Sequence, residues 1–122
     1  MNTLILDAAL GTQLAVNGEE LPDWKKSLWS AHALINKPEA ILKIHLDNIE
    51  AGADVITTSN YYATPIILAK DSTKHDYKEL VKRALDLVQE AIKISGKNCQ
   101  IAGSFPPINV SFRPDLTGTK SE

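Results

Sequence analysis

The sequence predicts an α/β fold with a parallel sheet: a partial (β/α)8 TIM barrel, roughly its first three β/α units, carried by residues 1–122. Three observations support this. Three short apolar runs, Leu4-Ile5-Leu6, Val55-Ile56 and Gln100-Ile101-Ala102, each give way to groups able to hold a ligand, namely Asp7, the stretch Thr57-Thr58-Ser59-Asn60-Tyr61-Tyr62, and Ser104. Helical patterns lie between the runs, and strands alternating with helices call for a parallel sheet with crossover connections. The third observation is length: 122 residues are somewhat under half of the roughly 250 that a closed barrel takes. The expectation is therefore a piece: a fragment, a truncated reading frame, or one partner in an assembly.

The first run ends in Asp7 beside the small residues Ala8, Ala9 and Gly11, which would let a ligand come close to the backbone. Asp7 has two readings. It caps the next helix through the amide of Ala9 or Leu10, the commoner use of such an aspartate, or it holds a ligand. Residues 12–16 make a short helix that Asn17-Gly18 can end in a left-handed turn. Residues 19–33 then form a long excursion containing Pro22, Trp24 and Trp29, and the tryptophans are expected to anchor it to the body.

Asn36-Lys37-Pro38-Glu39 reads as a helix start, with Asn36 as cap, proline in the first turn and Glu39 as the capping-box carboxylate. Ile41, Leu42, His45, Leu46 and Ile49 recur at helical spacing until Gly52 stops them. His45 falls on that stripe and is expected to be a hydrogen-bonded core residue. His32 and His75, with no partner at metal-ligand spacing, are read the same way. After the central strand, residues 65–70 make a turn of helix. The next helix is the clearest, with Tyr77, Leu80, Val81, Ala84, Leu85, Val88, Ala91 and Ile92 on one face and Gly96 at its end. Residues 98–103 carry the third strand signal, and the tail beyond the Ser104-Phe105-Pro106-Pro107 loop has no pattern.

Composition excludes several classes. Thirteen basic and fifteen acidic residues give a formal charge of −2 with no basic stripe, which disfavours nucleic acid and anionic membrane as partners. One cysteine, Cys99, allows neither an internal disulfide nor a cysteine zinc site made by this chain alone. No stretch of about 18 apolar residues occurs, and the N-terminus has no basic lead before an apolar run. The expected setting is reduced and cytoplasmic.

The chain resembles the N-terminal part of the homocysteine S-methyltransferase family. The residues that carry the likeness are Leu4-Ile5-Leu6-Asp7-Ala8-Ala9-Leu10-Gly11-Thr12-Gln13-Leu14, Leu28-Trp29-Ser30-Ala31, Ile44-His45-Leu46-Asp47 with Ala51-Gly52-Ala53-Asp54, the stretch from Thr57 to Pro65, Ile101-Ala102-Gly103-Ser104, and Ser111-Phe112-Arg113-Pro114-Asp115. Each is weak alone, but the ordered series is specific. The resemblance implies a (β/α)8 barrel in which Asp7 receives the amino group of homocysteine and Ala8 and Ala9 lie against the amino acid. Family members usually have glycine at the first of these two positions, and Ala8 departs from that. It also implies that Thr58 and Tyr62 line the homocysteine and metal region and that Ser104 meets substrate at the mouth of the third strand.

The implied partners are homocysteine and a methyl donor, and the implied product is methionine. The 104–107 loop with residues 111–114 looks closest to members that use a sulfonium donor such as S-methylmethionine. The implied cofactor is zinc, held in the family by cysteines of the C-terminal half, including a Gly-Gly-Cys-Cys motif that this chain lacks; Cys99 matches no ligand and is expected to be a buried structural thiol. Zinc coordination removes the proton that makes a thiol a poor nucleophile at neutral pH. No residue here is assigned a catalytic or metal-binding role, and the chain alone is expected to be inactive. The alternative is a non-catalytic remnant or interaction module that pairs through its open sheet edges. A different barrel enzyme, such as an aldolase, would be expected to show a lysine directly after a strand or a glycine-rich phosphate loop.

Overall fold

A computed structural model of the chain describes residues 2–23, 28–71 and 73–107. Two short parallel strands, β1 (Val55–Thr57) and β2 (Gln100–Ala102), pair in the register Val55 with Gln100, Ile56 with Ile101 and Thr57 with Ala102. The expected first strand is present as a third, looser member. Leu6 bridges Val55 in parallel, the amides of Asp54 and Val55 donate to the Ile5 carbonyl at 2.8 and 3.1 Å, and the Asp7 amide donates to the Val55 carbonyl at 3.0 Å. The three segments therefore lie side by side in chain order, each separated from the next by helices. The result is an α/β chain with an open parallel sheet.

The helices are α1 (Leu10–Val16), α2 (Ala33–Asn36, entered through a 3-10 turn at Trp29–His32), α3 (Pro38–Glu50), α4 (Pro65–Asp71) and α5 (Tyr77–Ser95). Proline opens α3, where its missing N–H is no loss. The expected cap does not form: Lys37 occupies the N-cap without a side-chain bond, and Asn36, as the last residue of α2, instead places its amide on the His32 ring one turn back at 2.9 Å. At the other end the Lys97 ammonium donates to the Ile49 carbonyl at 3.1 Å, satisfying a helix-terminal acceptor. Gly96, with φ +66°, ends α5 as anticipated.

The core has two parts. Ile49, Ala53, Ile56, Val88 and Ala91 join β1 to the helix pair α3 and α5, while Leu14, Leu34, Ile67 and Leu68 of α1, α2 and α4, with Leu28, pack against Ile41 and Ile44 of α3 and Leu80 and Ala84 of α5. On α5 the buried stripe is Leu80, Ala84, Leu87, Val88 and Ala91. Tyr77, Val81 and Leu85, expected on it, are exposed. They form the neighbouring row on the helix, and no described element covers that row. His32 and His75 are half-buried and paired with Asn36 and Glu79, not core residues.

The strand expected at residues 4–6 is not buried. Leu4, Ile5 and Leu6 are 56, 56 and 63% exposed, because a parallel strand at the edge of an open sheet has one unpaired side and little against its faces. Trp24 and the 111–115 motif lie outside the described residues.

Candidate functional site

The C-terminal ends of the three sheet segments meet at one open cleft of about 400 Å³. It is lined by Asp7, Ala8, Ala9 and the start of α1, by Trp29 and Ser30, by Thr57, Thr58, Ser59, Tyr61 and Tyr62 after β1, and by Ser104 after β2. Parallel α/β sheets place ligands at this end, since here the chain leaves the sheet and polar side chains emerge. All six residues singled out in the sequence, Asp7, Ala8, Ala9, Thr58, Tyr62 and Ser104, line this cleft.

Asp7 does not cap α1. The N-cap there is Ala9, with no side-chain bond. The Asp7 carboxylate instead crosses to β1: Thr57 donates its amide to Oδ2 at 2.9 Å and its hydroxyl to Oδ1 at 2.7 Å. A carboxylate offers about four lone-pair positions. Two are taken, and the others remain for a donor in the cleft.

Thr58 is buried, and its hydroxyl is a junction. It donates to Asn60 Oδ1 at 2.6 Å and accepts from the Ser104 amide at 2.8 Å, while the Asn60 side-chain amide donates to the Ser104 carbonyl at 3.1 Å. The Thr58 amide also donates to the Ala102 carbonyl at 2.9 Å. The hydroxyl is thus committed to joining the two strand tails, and Ser104 is held through its backbone. Beside it the Ser59 hydroxyl is buried without a partner among the described residues.

The aromatic wall is made by Trp29, Tyr62 and Tyr61. The Trp29 and Tyr62 rings meet edge to face at 5.6 Å, as do Tyr61 and Tyr62 at 5.8 Å. Burial, and then the neighbouring Tyr61, raises the Tyr62 phenol above its usual range, so it remains a protonated donor at neutral pH. Trp29 is the anchor expected of it. It sits at φ +44°, and its indole lies where a side chain on Gly11 would be, 2.5 Å from an added Cβ. The small residue at position 11 therefore admits the indole.

Behind the cleft, His45 is buried as expected but not hydrogen-bonded, since neither ring nitrogen has a partner among the described residues. Desolvation lowers it to about 4, while the Asp7 charge acts weakly in the opposite sense. The ring is neutral at pH 7.

Zinc finds no ligand set among these residues. Among the described residues, no group of three or more His, Cys, Asp or Glu could hold a metal ion. The cleft supplies one carboxylate, already tied to Thr57. Cys99 lies before β2, half-buried, with its thiol 3.5 Å from the Ala53 carbonyl. The sequence marks residues 57–62 together as able to hold a ligand without singling out Thr57 or Asn60, which the structure ties to the Asp7 carboxylate and the Ser104 carbonyl. The signal for Thr57 was strand alternation: with Ile56 in the core, Thr57 must face the other way.

The family model for homocysteine S-methyltransferase matches residues 4–121. Among curated relatives, homocysteine S-methyltransferase 4 of Zea mays is 38% identical over 91 residues, 74% of this chain and 26% of that protein. The homocysteine S-methyltransferase of Escherichia coli strain K12 is 38% identical over 89 residues, 72% of this chain and 28% of that protein. Homocysteine S-methyltransferase 2 of Arabidopsis thaliana is 32% identical over 113 residues, covering 92% and 33%. The metallated crystal form of the homocysteine methyltransferase MmuM from Escherichia coli superposes with a TM-score of 0.73 at 34% identity, over 88% of this chain and 38% of that one. The chain thus spans about a quarter to a third of the length of these curated relatives.

Proposed function

The chain belongs to the homocysteine S-methyltransferase family, and on that premise we propose that it is the homocysteine-binding N-terminal part of a (β/α)8 methyltransferase barrel, its first three β/α units. The observation that carries this reading is the convergence of Asp7, Thr58 and Ser104 on one cleft at the C-terminal ends of parallel strands. The free lone pairs of Asp7 accept the α-ammonium of homocysteine. Ala8 and Ala9 leave room for its backbone atoms, and the Trp29–Tyr62 wall packs its methylene chain. Asp7 fixes the amino acid so that its sulfur is presented in one direction, a contribution of position and not of proton transfer.

The reaction proposed for the whole enzyme is transfer of a methyl group from a sulfonium donor, S-methylmethionine being the expected one, to the homocysteine sulfur: the new S–CH3 bond forms as the donor's breaks, the thiol proton and the neutral thioether of the donor are released, and homocysteine becomes methionine in the cytoplasm. The zinc that the family resemblance implies has no ligand set among the described residues, so no step is assigned to it here. The 122-residue chain by itself is proposed to be inactive, and methionine formed from these two substrates by the purified chain would contradict that. The apolar edge and face exposed at Leu4, Ile5, Leu6 and Ile101 support a second reading, in which copies of the chain pair through the open sheet.

The substrate assignment is tested by calorimetric titration of L-homocysteine. Asp7→Asn, which keeps the shape and removes the charge, is expected to weaken binding about tenfold or more, as for loss of a charge-assisted hydrogen bond. Unchanged affinity would remove Asp7 from the site.

A further inference from the structure

We infer that Thr57 is the positioning residue of this site: it sets the plane of the Asp7 carboxylate and so determines the preference for ligands that carry an amino group. This rests on the assignment of Asp7 to the ammonium of homocysteine.

Asp7 needs such a partner. Its backbone is tied to β1 by the Leu6 bridge and by its own amide on the Val55 carbonyl, but it follows an edge segment whose Leu4, Ile5 and Leu6 are more than half exposed, so that pairing leaves its side chain unrestrained. An aspartate so placed would sample several side-chain rotamers. Thr57 prevents this with two donors from one residue, the amide to Oδ2 at 2.9 Å and the hydroxyl to Oδ1 at 2.7 Å. A carboxylate held at both oxygens has no freedom to rotate about its last bond.

Thr57 is itself well fixed. It is the last residue of β1, paired in register with Ala102, with Ile56 fully buried before it and the buried Thr58 junction after it. Its branched Cβ restricts the first side-chain torsion, which defines where the hydroxyl points. Both donors are neutral, so they add no positive charge beside the carboxylate. An ammonium approaching from the cleft finds the two remaining acceptor positions already aimed.

The test separates orientation from mere folding. L-homocysteine and 4-mercaptobutanoate, which is the same molecule without its amino group, are titrated calorimetrically into the chain and into Thr57→Val, Thr57→Ser and Asp7→Asn. Thr57→Val keeps the shape, the branching and the backbone donor, and removes only the O–H. It is expected to weaken L-homocysteine about tenfold, as for one hydrogen bond to a charged group, and to leave 4-mercaptobutanoate unchanged. Thr57→Ser, which restores the hydroxyl, is expected to match the parent for both compounds. Equal weakening of both compounds by Thr57→Val, or of neither, overturns the inference. If Asp7→Asn weakens L-homocysteine and Thr57→Val does not, Thr57 alone loses its role. If Asp7→Asn has no effect, or the parent chain binds neither compound, the Asp7 assignment falls and this inference with it.

Discussion

The Ser104 amide donates to the Thr58 hydroxyl at 2.8 Å, and that same hydroxyl gives its own proton to Asn60 Oδ1 at 2.6 Å. One buried oxygen thus joins the tails of both strands. Thr58→Val is expected to lower stability by about 2 kcal/mol, because it leaves a backbone amide and an amide oxygen without partners. Thr58→Ser keeps the bonds and loses far less. Ser59→Ala, one residue on, is expected to be neutral or stabilising, since the buried Ser59 hydroxyl has no partner to lose among the described residues. Thermal melting of the three variants checks this order, and equal destabilisation by Thr58→Val and Ser59→Ala would contradict it.

Gly11 and the Trp29 indole occupy one space. A methyl group at position 11 would fall 2.5 Å from the ring, inside any real contact distance. Gly11→Ala is expected to displace the indole from Tyr62 and to cost about 1–3 kcal/mol, the usual range for overpacking. The readout is a red-shifted tryptophan emission together with a lower melting temperature. An unchanged spectrum would show that the ring does not rest there.

His45 makes stability depend on pH. Burial lowers its folded-state value to about 4 against 6.5 for the unfolded chain, so between these values the unfolded state binds the extra proton. The contribution is fully present above pH 6.5 and is lost as pH falls towards 4, by about 3 kcal/mol in all. His45→Phe is expected to flatten this part of the profile in denaturant unfolding at a series of pH values. A slope that persists in His45→Phe would assign the effect to other groups.

Leu6 and Phe105, 63% and 96% exposed, lie on the first and third sheet segments or just beyond them. Exposed apolar groups beside unpaired strand edges favour association between chains. Sedimentation velocity is expected to show concentration-dependent assembly that the double variant Leu6→Lys, Phe105→Ser reduces. A monomer at every concentration would argue against pairing through the open sheet.

Much of this arrangement was legible in the sequence because local rules and tertiary demands agree there. The apolar period of α5 and the left-handed Gly96 gave that helix and its end. The apolar-to-polar transitions at Asp7, Thr57 and Ser104 marked the strand ends that meet at the cleft. The reading failed where partners come from far along the chain. The local pattern around Asp7 favours a cap, whereas its donors are 50 residues away. The sequence around Asn36 reads as the cap of α3, but a short helix before it makes the His32 ring the nearer partner. The exposed row Tyr77, Val81 and Leu85 follows the same logic. Periodicity shows which side of a helix is apolar, and only the neighbouring elements determine how much of it is covered.

The central claim is that the cleft formed by Asp7, Thr57, Thr58 and Ser104 receives the amino-acid end of homocysteine. The most direct measurement is backbone amide chemical-shift mapping of the isotopically labelled chain during titration with L-homocysteine. The account predicts saturable shifts concentrated at Asp7, Ala8, Thr57, Thr58 and Ser104, and their loss in Asp7→Asn. Shifts that are absent, or that cluster away from these strand ends, would contradict it.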